Sequence, residues 1–541
     1  MGIHNVCELI SKQVKKHPEK KAIIHARKNI FHKNKYPYLT FSQFDKRINQ
    51  ISHKLSALGV KPQDKVLFFV KPNLDFSAIT YALFKLGAIV VFIDPGMKRE
   101  YFLKAIKELK PDVLIGMPKV HLVRHFFKDV FKDIRLFITT GKIPSLFAKS
   151  IYRGLSKFDD EYVTYIPKAD DLAAILFTSG GTGKPKGVEY THDIFINQTK
   201  MLQKEFNLTS SDTDLAGFPL FSFFTLAMGM TSVVPFLDAS APSKVDPKIL
   251  YQNIEDTKAN FLAGSPAIWD KLVDYCINYN LKLTKVKYLV MFGAPVRIEL
   301  HKKLKKILPN GTSYTPYGAT ECLPVSNISA KEILGKLDHL TLSGEGTCVG
   351  RPLAGVEVKI IKFSDKVVQA NELIELDTYQ IGEIIVHSPN VTKAYFGDKS
   401  ATELAKIEHQ GRIWHRMGDV GYLDDQNRLW FCGRACHVVY TPKKTYYPNQ
   451  VESVFNGHSM VAKSALIKDE KENVAAIVIE RKDKLKTLEP MFLMDLKNLA
   501  QKTEKTKTIQ KFYIKNNLPV DIRHNIKIDR TQIQKEINHE N

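Results

Sequence analysis

The sequence predicts an α/β protein with two domains: a large N-terminal domain of α/β subdomains with a β-rich subdomain, and a small mobile α+β C-terminal domain. The chain has 541 residues, more than the roughly 250–300 at which a single hydrophobic core stops growing. Strand-like apolar runs alternate with helical apolar spacing through the first part of the chain. After Gly350 the pattern changes to short β segments.

The first buried strand is predicted at 65–70, and a helix over 76–86 follows it and ends at Gly87. A second buried strand is predicted at 88–93. A strand, a helix and a strand in this order favour parallel sheets that are covered by helices. The alternation recurs in apolar runs at 113–116, 136–138, 174–177 and 288–293.

The pattern in the second half of the chain predicts the β-rich subdomain and the domain boundary. Short β segments at 357–361 and 382–386 indicate the β-rich subdomain, and a mixed α and β pattern returns after Arg434. We therefore place the N-terminal domain at residues 1–434 and the C-terminal domain at 435–541.

Charge narrows the class of ligand. The chain has 79 basic and 57 acidic residues, a net charge of +22, which is compatible with nucleic acid or an anionic membrane. The basic residues are spread along the chain, and no aromatic and basic recognition module accompanies them. We expect an anionic small-molecule substrate, no nucleic acid, and contact with a membrane at most at its surface.

Cysteine usage and the distribution of apolar residues indicate the compartment. Six cysteines in so long a chain favour a reducing compartment over a disulfide framework, so we expect a cytoplasmic protein with membrane association as the alternative. Residues 215–237 form a 23-residue stretch without charge, but Gly and Pro interrupt it and basic flanks are missing. This stretch is predicted to be a buried apolar segment that lines a substrate pocket.

A glycine-rich loop after the strand at 174–177 has the composition of an anion-binding site. Glycines let backbone N–H groups turn toward a ligand, hydroxyls donate hydrogen bonds, and lysines neutralise charge. A Walker loop needs glycine where Thr178 stands, and a Rossmann fingerprint needs glycine where Lys186 stands, so neither fits. A surface turn without function is the alternative. The candidate residues are Thr178, Ser179, Gly180, Gly181, Thr182, Gly183, Lys184 and Lys186.

Six motifs follow this loop, and the whole series resembles that of the adenylate-forming superfamily, which contains acyl-CoA ligases, luciferases and the adenylation domains of peptide synthetases. The motifs lie at 293–295, 317–321, 350–352, 382–384, 417–421 and 433–434. The resemblance covers nearly the whole chain. It implies an AMP-binding N-terminal domain that uses ATP and Mg²⁺ to activate a carboxylic acid as acyl-AMP.

The resemblance also implies roles for single residues at the nucleotide. Tyr317 would stack on adenine, Thr320 would contact phosphate, and Glu321 would help to hold Mg²⁺. Asp419 would accept hydrogen bonds from the ribose hydroxyls. A capping glutamate and a turn aspartate are the structural alternatives for Glu321 and Asp419. The other nucleotide-binding candidates are Gly293, Ala294, Pro295, Gly318 and Arg434.

Lys527 aligns with the terminal lysine of the family, which implies a catalytic lysine on the mobile C-terminal domain. Its ammonium would stabilise the charge that develops while the carboxylate attacks the α-phosphorus. His524 is a candidate general base, although a lone histidine is more often structural.

Segments at 92–96, 317–325 and 519–525 look like those of the β-lactone synthetases of bacterial long-chain olefin biosynthesis. The likeness implies that a β-hydroxyl of the substrate attacks the acyl-AMP and closes a β-lactone, with enzymes of the olefin pathway as partners. Segment 441–448 lacks the glycine usual in acyl-CoA ligases, and its bulk is expected to close the path of a pantetheine arm. Two alternatives stay open: a long-chain fatty acid–CoA ligase and a non-catalytic nucleotide-binding scaffold.

The substrate pocket is expected in the apolar segment, where phenylalanines replace a histidine-containing motif of many acyl ligases. Burial of CH₂ groups at about 0.8 kcal/mol each would favour a long aliphatic chain, and a long-chain, β-hydroxylated fatty acid is the expected substrate. The residues predicted to line the pocket are Phe221, Phe223, Phe224 and Met228.

Overall fold

A computed structural model describes residues 4–28, 36–94, 96–141, 147–178, 185–482, 489–520 and 528–540. In these ranges the strands are β1 (Lys21–His25), β2 (Tyr38–Thr40), β3 (Lys65–Phe69), β4 (Ile89–Ile93), β5 (Val113–Gly116), β6 (Leu136–Thr139), β7 (Lys149–Ser150), β8 (Leu172–Thr178), β9 (Lys186–Thr191), β10 (Thr213–Ala216), β11 (Thr231–Val234), β12 (Phe261–Gly264), β13 (Tyr288–Met291), β14 (Thr312–Tyr314), β15 (Tyr317–Ala319), β16 (Cys322–Asn327), β17 (Thr347–Cys348), β18 (Arg351–Pro352), β19 (Glu357–Ile361), β20 (Gly382–His387), β21 (Lys406–His409), β22 (Arg412–Leu423), β23 (Leu429–Arg434), β24 (Val439–Tyr440), β25 (Thr445–Tyr446), β26 (Val461–Asp469), β27 (Val474–Arg481) and β28 (Lys511–Lys515).

The helices alternate with these strands. They are α1 (Cys7–Lys16), α2 (Phe41–Leu58), α3 (Leu74–Leu86), α4 (Arg99–Leu109), α5 (Pro118–Val123), α6 (Lys128–Phe131), α7 (His192–Glu205), α8 (Phe221–Ala227), α9 (Pro247–Thr257), α10 (Pro266–Asn278), α11 (Ile298–Ile307), α12 (Ala330–Glu332), α13 (Asp338–Leu342), α14 (Lys399–Ala405), α15 (Pro448–Asn456), α16 (Glu489–Ala500) and α17 (Arg530–Glu540).

Two mostly parallel sheets form the first part of the molecule. One has the strand order β7-β6-β5-β3-β4-β8-β9, and the other has the order β14-β13-β12-β10-β11-β1-β2. Only the edge strands β9 and β2 run antiparallel to their neighbours among these pairs. Helices α2 and α3 lie in one core cluster together with residues of both sheets. The predicted parallel sheets covered by helices are therefore confirmed.

Local sequence sets the ends of α3. Asn73 accepts hydrogen bonds from the backbone N–H groups of Asp75 and Phe76 and so caps the helix at its start. Gly87 ends it with a φ of +84°, and a Cβ atom there would lie 2.5 Å from the ring of Tyr165. Only glycine satisfies both conditions, as the sequence predicted for this position.

The apolar stretch at 215–237 contains the end of β10, helix α8 and strand β11, and β10 and β11 are parallel neighbours. Its side chains are mostly buried, so the prediction of a buried segment is confirmed. Within the described part of the chain, no helix is at once long and apolar enough to cross a bilayer.

Antiparallel β-structure follows, as predicted, in a sheet with the order β17-β23-β22-β20-β19 and in a small sheet of β15, β16 and β18. The strands β26, β27 and β28 form a further sheet near the C-terminus. Two core clusters cover this last sheet, and every member follows residue 438. A core built only from residues near the C-terminus is what a separate C-terminal domain requires. The boundary at 434/435 stays a prediction.

Candidate active site

A continuous cleft with a volume of about 2970 Å³ runs along the carboxyl ends of the two large sheets. Its walls come from β4 and β8 of one sheet, from β13 of the other, and from the hairpin β15–β16. Asn449, Glu452 and Arg530 of the C-terminal part complete it. Ligands of α/β proteins bind at the carboxyl ends of parallel strands, so this cleft is the candidate active site.

The glycine-rich loop connects β8 to β9. Residues Ser179–Lys184 and the side chain of Thr178 lie outside the described residues, but the register Thr178↔Lys186 fixes both ends of the loop. The ammonium of Lys186 lies 4.8 Å from the centroid of the Tyr395 ring. This cation–π contact holds one of the predicted phosphate-binding lysines beside Glu321, the partner of Tyr395.

Thr320 and Glu321 form the tip of the β15–β16 hairpin. The hydroxyl of Tyr395 donates a hydrogen bond of 2.6 Å to Glu321 Oε1, and the backbone oxygen of Glu321 accepts one of 2.9 Å from Thr392. The Tyr190 hydroxyl donates to the backbone oxygen of Thr320. The carboxylate predicted to hold Mg²⁺ is thus fixed by hydrogen bonds and lines the cleft.

Lys406 lies near the same carboxylate and donates a hydrogen bond of 3.3 Å to Thr392 Oγ1. Burial of the ammonium lowers the pKa of Lys406 from 10.5 to about 8, while the negative charge of Glu321 opposes the shift. A lysine with this pKa changes its charge close to neutral pH, and such groups concentrate at functional sites.

Asp419 lies at the other side of the hairpin, on β22. Its two carboxylate oxygens accept hydrogen bonds from the Tyr317 hydroxyl at 2.6 Å and from Arg434 Nη1 at 2.7 Å. Burial raises the pKa of Asp419, and the charge of Arg434 and the Tyr317 hydroxyl oppose that shift. Each carboxylate oxygen has a second lone pair, so this arrangement still allows two hydrogen bonds from ribose hydroxyls.

Glycines bring the backbone close to this site. Gly318 admits no side chain, because a Cβ atom there would lie 2.7 Å from the backbone oxygen of Cys322. Gly293 follows β13 with a φ of +88°. The residues predicted to lie on the adenine side, which all line the cleft, are Gly293, Ala294, Pro295, Tyr317 and Gly318.

The apolar end of the cleft is built from phenylalanines. Seventeen of the 31 phenylalanines of the chain line the cleft as a whole, which favours an aliphatic chain over a polar ligand. The ring of Phe221 stacks on Phe292 at 5.7 Å, and the ring of Phe223 stacks on Phe76 at 5.9 Å. Phe224 lies between these pairs, in contact with Phe221 at 5.8 Å.

The role of Met228 in the acyl pocket stays a prediction. This residue follows the last residue of α8 and is buried in a cluster with Phe261 and Met230, and it is not among the described residues that line the cleft. Phe221, which lines the cleft, belongs to the same cluster.

Lys527 and His524 lie outside the described residues. The residues that follow them, Ile528, Asp529 and Arg530, line the cleft. Arg530 forms an ion pair with Glu452 at 2.6 Å, and Glu452 also accepts a hydrogen bond of 2.8 Å from the backbone N–H of Leu466. Helix α17 therefore begins at the cleft and is fixed there to α15 and β26.

Segment 441–448 spans the turn and second strand of a hairpin and the first residue of α15. Strands β24 and β25 form a hairpin in which Tyr446 is 4% exposed and packs in the C-terminal core, with its hydroxyl 2.7 Å from Thr508 Oγ1. The described lining of the cleft contains none of residues 439–447. That the bulk of this segment closes the path of a pantetheine arm stays a prediction.

Three residues of the site were missed by the sequence analysis. Tyr395 and Lys406 lie 74 and 85 positions after Glu321, and neither stands in a recognisable motif. His437 lines the cleft, and burial, with the charge of Arg530, lowers its pKa to about 4. Among the described residues, no group of three or more His, Cys, Asp or Glu side chains could hold a metal ion.

Comparison with known protein families matches residues 10–396 to the model of the AMP-binding enzyme family. The match covers more than half of the chain. The chain belongs to this family. It is therefore an enzyme of the AMP-forming ligase and synthetase type, and the resemblance to adenylate-forming enzymes is confirmed.

Two curated relatives of this AMP-binding enzyme match almost end to end. The olefin beta-lactone synthetase of Xanthomonas campestris is 34% identical over 92% of this chain and 90% of its own length. The protein of the same name from Stenotrophomonas maltophilia is 35% identical over the same shares. The fold is that of a solved structure, the ATP-bound MatB of Rhodopseudomonas palustris, with a TM-score of 0.78, 19% identity and 99% of each chain covered.

Proposed function

We propose that this AMP-binding enzyme converts a long-chain β-hydroxy fatty acid and ATP to a β-lactone, AMP and pyrophosphate. The observation that carries the proposal is one cleft with two chemically different ends. Tyr317, Glu321 and Asp419 form a polar end that suits a nucleotide, and a phenylalanine-lined end that suits an aliphatic chain continues from it. The names of the two relatives, matched over nine-tenths of the chain, support the same reaction.

In the first step, a carboxylate oxygen of the acid attacks the α-phosphorus of ATP, and the bond from that phosphorus to the bridging oxygen breaks. Pyrophosphate leaves and acyl-AMP remains. Asp419 would hold the ribose, Thr320 and the loop at 178–186 would bind phosphate oxygens, and Lys527 would stabilise the negative charge on the α-phosphate. The Lys186–Tyr395 contact keeps a second cation at this end of the cleft.

Mg²⁺ fits the polar end. A magnesium ion in such sites is held by one or two carboxylates together with substrate phosphates and water, and Glu321 is a carboxylate whose orientation Tyr395 fixes. Glu321 would hold the ion, which when bound would neutralise phosphate charge.

In the second step, the β-hydroxyl oxygen attacks the acyl carbon, the bond to the AMP oxygen breaks, and the hydroxyl proton passes to a base. The products are a four-membered lactone and AMP. Attack within one molecule requires no second ligand and gains from proximity. His524 is the candidate base in the sequence. The bulk of segment 441–448 would exclude a pantetheine arm, and the second step itself requires no CoA.

Product analysis tests the proposal. The enzyme is supplied with ATP, Mg²⁺ and a 2-alkyl-3-hydroxy fatty acid, with and without CoA, and the products are identified by mass spectrometry. Lactone and AMP without CoA are expected. The same acid without its hydroxyl is the matched control, and it should release pyrophosphate but give no lactone. Turnover that appears only with CoA would show a fatty acid–CoA ligase instead, and no pyrophosphate release with any acid would contradict acyl-AMP formation.

A further inference from the structure

An apolar and basic patch lies at the rim of the cleft, far from the nucleotide end. It is formed by α5, the single helical turn Arg124–Phe127 and α6. Phe126 is 83% exposed, Leu122 is 55% exposed and Val123 is 42% exposed. Large apolar side chains exposed together on one short segment indicate a contact surface.

The patch is continuous with the inside of the cleft. Val123, Phe126 and Phe127 belong to its lining, together with Phe102 of α4. Phe102 stacks on Phe69 at 5.5 Å, and Arg99 lies 4.8 Å from the ring of Phe127. An aromatic wall therefore leads from the exposed patch toward the phenylalanines of the acyl end.

The surroundings of the patch are basic. Residues 98–132 contain nine Lys and Arg and four Asp and Glu, a net charge of +5. Among them, residues 117–128 include Lys119, Arg124 and Lys128 and no acidic residue. Lys119 and Lys128 are exposed, whereas the Arg124 guanidinium is held inward over the ring of Phe137.

We propose that this patch docks the enzyme on an anionic lipid bilayer, so that its fatty acid substrate enters the cleft from the membrane. Phe126 and Leu122 would insert at the level of the lipid head groups, and Lys119 and Lys128 would contact anionic head groups. The three exposed apolar side chains are few for a stable protein interface of about 800 Å² per partner, whereas shallow insertion requires no more.

The choice of a membrane follows from the substrate chemistry, so this inference rests on the proposed function. Each CH₂ group held in water disfavours a free fatty acid about fourfold relative to an apolar phase. Direct transfer of the fatty acid from the bilayer to the aromatic wall of the cleft avoids that cost. The patch would bind the bilayer, and the enzyme would take from it long-chain acids that reside in lipid.

Vesicle sedimentation of the full-length enzyme tests the inference. Wild type is expected to bind vesicles that contain phosphatidylglycerol and to bind phosphatidylcholine vesicles more weakly. The Leu122→Ser, Phe126→Ser double variant should lose about tenfold or more in partition coefficient. The Lys119→Ser, Lys128→Ser double variant should lose about fivefold per lysine, on phosphatidylglycerol vesicles only.

The control variant is Val163→Ser, Ile166→Ser, since Val163 and Ile166 are 91% and 78% exposed and lie outside the cleft lining and the basic segment. It should bind as wild type does, and circular dichroism checks that all variants fold. The inference would be overturned if wild type bound both kinds of vesicle equally or bound neither. It would also be overturned if the patch variants lost a dimer that wild type forms. Pyrophosphate release with a short, water-soluble β-hydroxy acid is measured separately, so failure of docking and failure of the proposed reaction are distinguishable.

Discussion

Glu321 is oriented by residues that surround it from several strands. Tyr395 donates a hydrogen bond to one carboxylate oxygen, and the ammonium of Lys406 lies close enough for the charge of Glu321 to raise its pKa against burial. Lys186 in turn rests on the ring of Tyr395. The carboxylate, the tyrosine and the two lysines form one electrostatic unit, so a change in one member affects the others.

Replacing Tyr395 with phenylalanine should slow acyl-AMP formation about tenfold or more, because a hydrogen bond to a charged group contributes about 1.5–3 kcal/mol. The rate is measured as pyrophosphate release at saturating acid while Mg²⁺ and ATP are varied. Tyr379→Phe, at a 58% exposed position, is the control and should behave as wild type. An unchanged rate in Tyr395→Phe would show that the hydrogen bond does not support the reaction.

The lowered pKa of Lys406 makes the stability of the folded protein depend on pH. Its folded-state pKa of about 8 lies below the ordinary 10.5, so the unfolded chain binds more protons than the folded chain between these values. The contribution of Lys406 to the free energy of unfolding therefore rises with pH across this window, by up to about 3 kcal/mol.

Urea denaturation of wild type and of Lys406→Met, at several pH values inside this window, measures that contribution. The free energy of unfolding of wild type minus that of the variant should increase with pH. Lys399→Met removes a lysine whose side chain is 90% exposed and should give a constant difference. A constant difference for Lys406→Met as well would contradict the buried charge.

Among the described contacts of α17, an ion pair with little exposed surface fixes the start of this helix to α15. The side chains of Arg530 and Glu452 are 17% and 9% exposed, and Glu452 lies on α15 at the rim of the cleft. The first residue of α17 therefore links the helix to the wall of the site.

Arg530→Leu should destabilise the C-terminal part by about 3 kcal/mol or more, because it leaves the charge of Glu452 buried without its partner. Hydrogen exchange followed by mass spectrometry should show faster exchange in α15 and α17 and no change in β3 to β5. Arg412→Leu is a suitable control, since the Arg412–Glu357 pair is about half exposed on both sides. Unchanged exchange in α17 would contradict the anchoring role.

Elements with a strong local pattern were predictable from the sequence. Strand β3, helix α3 and strand β4 lie within two residues of their predicted positions, because they are buried on both faces and Gly87 marks the end of the helix. The motif residues Glu321 and Asp419 were also identified. Tyr395 and Lys406 were not, since their contact with Glu321 arises only when distant strands pack together. Composition does not show which side of α8 faces the cleft, so the role of Met228 stays a prediction.

At the scale of the whole molecule, two parts of the chain build one cleft. The large sheets supply the acyl end, the β15–β16 hairpin and β22 supply the nucleotide end, and the start of α17 closes the cleft from the C-terminal side. This arrangement explains why the site motifs are spread from the loop after β8 to Lys527. In the proposed reaction, the activated carboxyl group would lie between the nucleotide and the aliphatic chain, near the β-hydroxyl of the same chain.

In the proposed reaction the carboxyl group is activated and the hydroxyl oxygen becomes the ring oxygen. Turnover of an acid labelled with oxygen-18 in both carboxyl oxygens tests both points, with mass spectrometry of the two products. We expect one labelled oxygen in the phosphate of AMP and one in the carbonyl of the lactone, with an unlabelled ring oxygen. Unlabelled AMP with both labels in the lactone would show activation of the hydroxyl group instead and would rule out the proposed reaction.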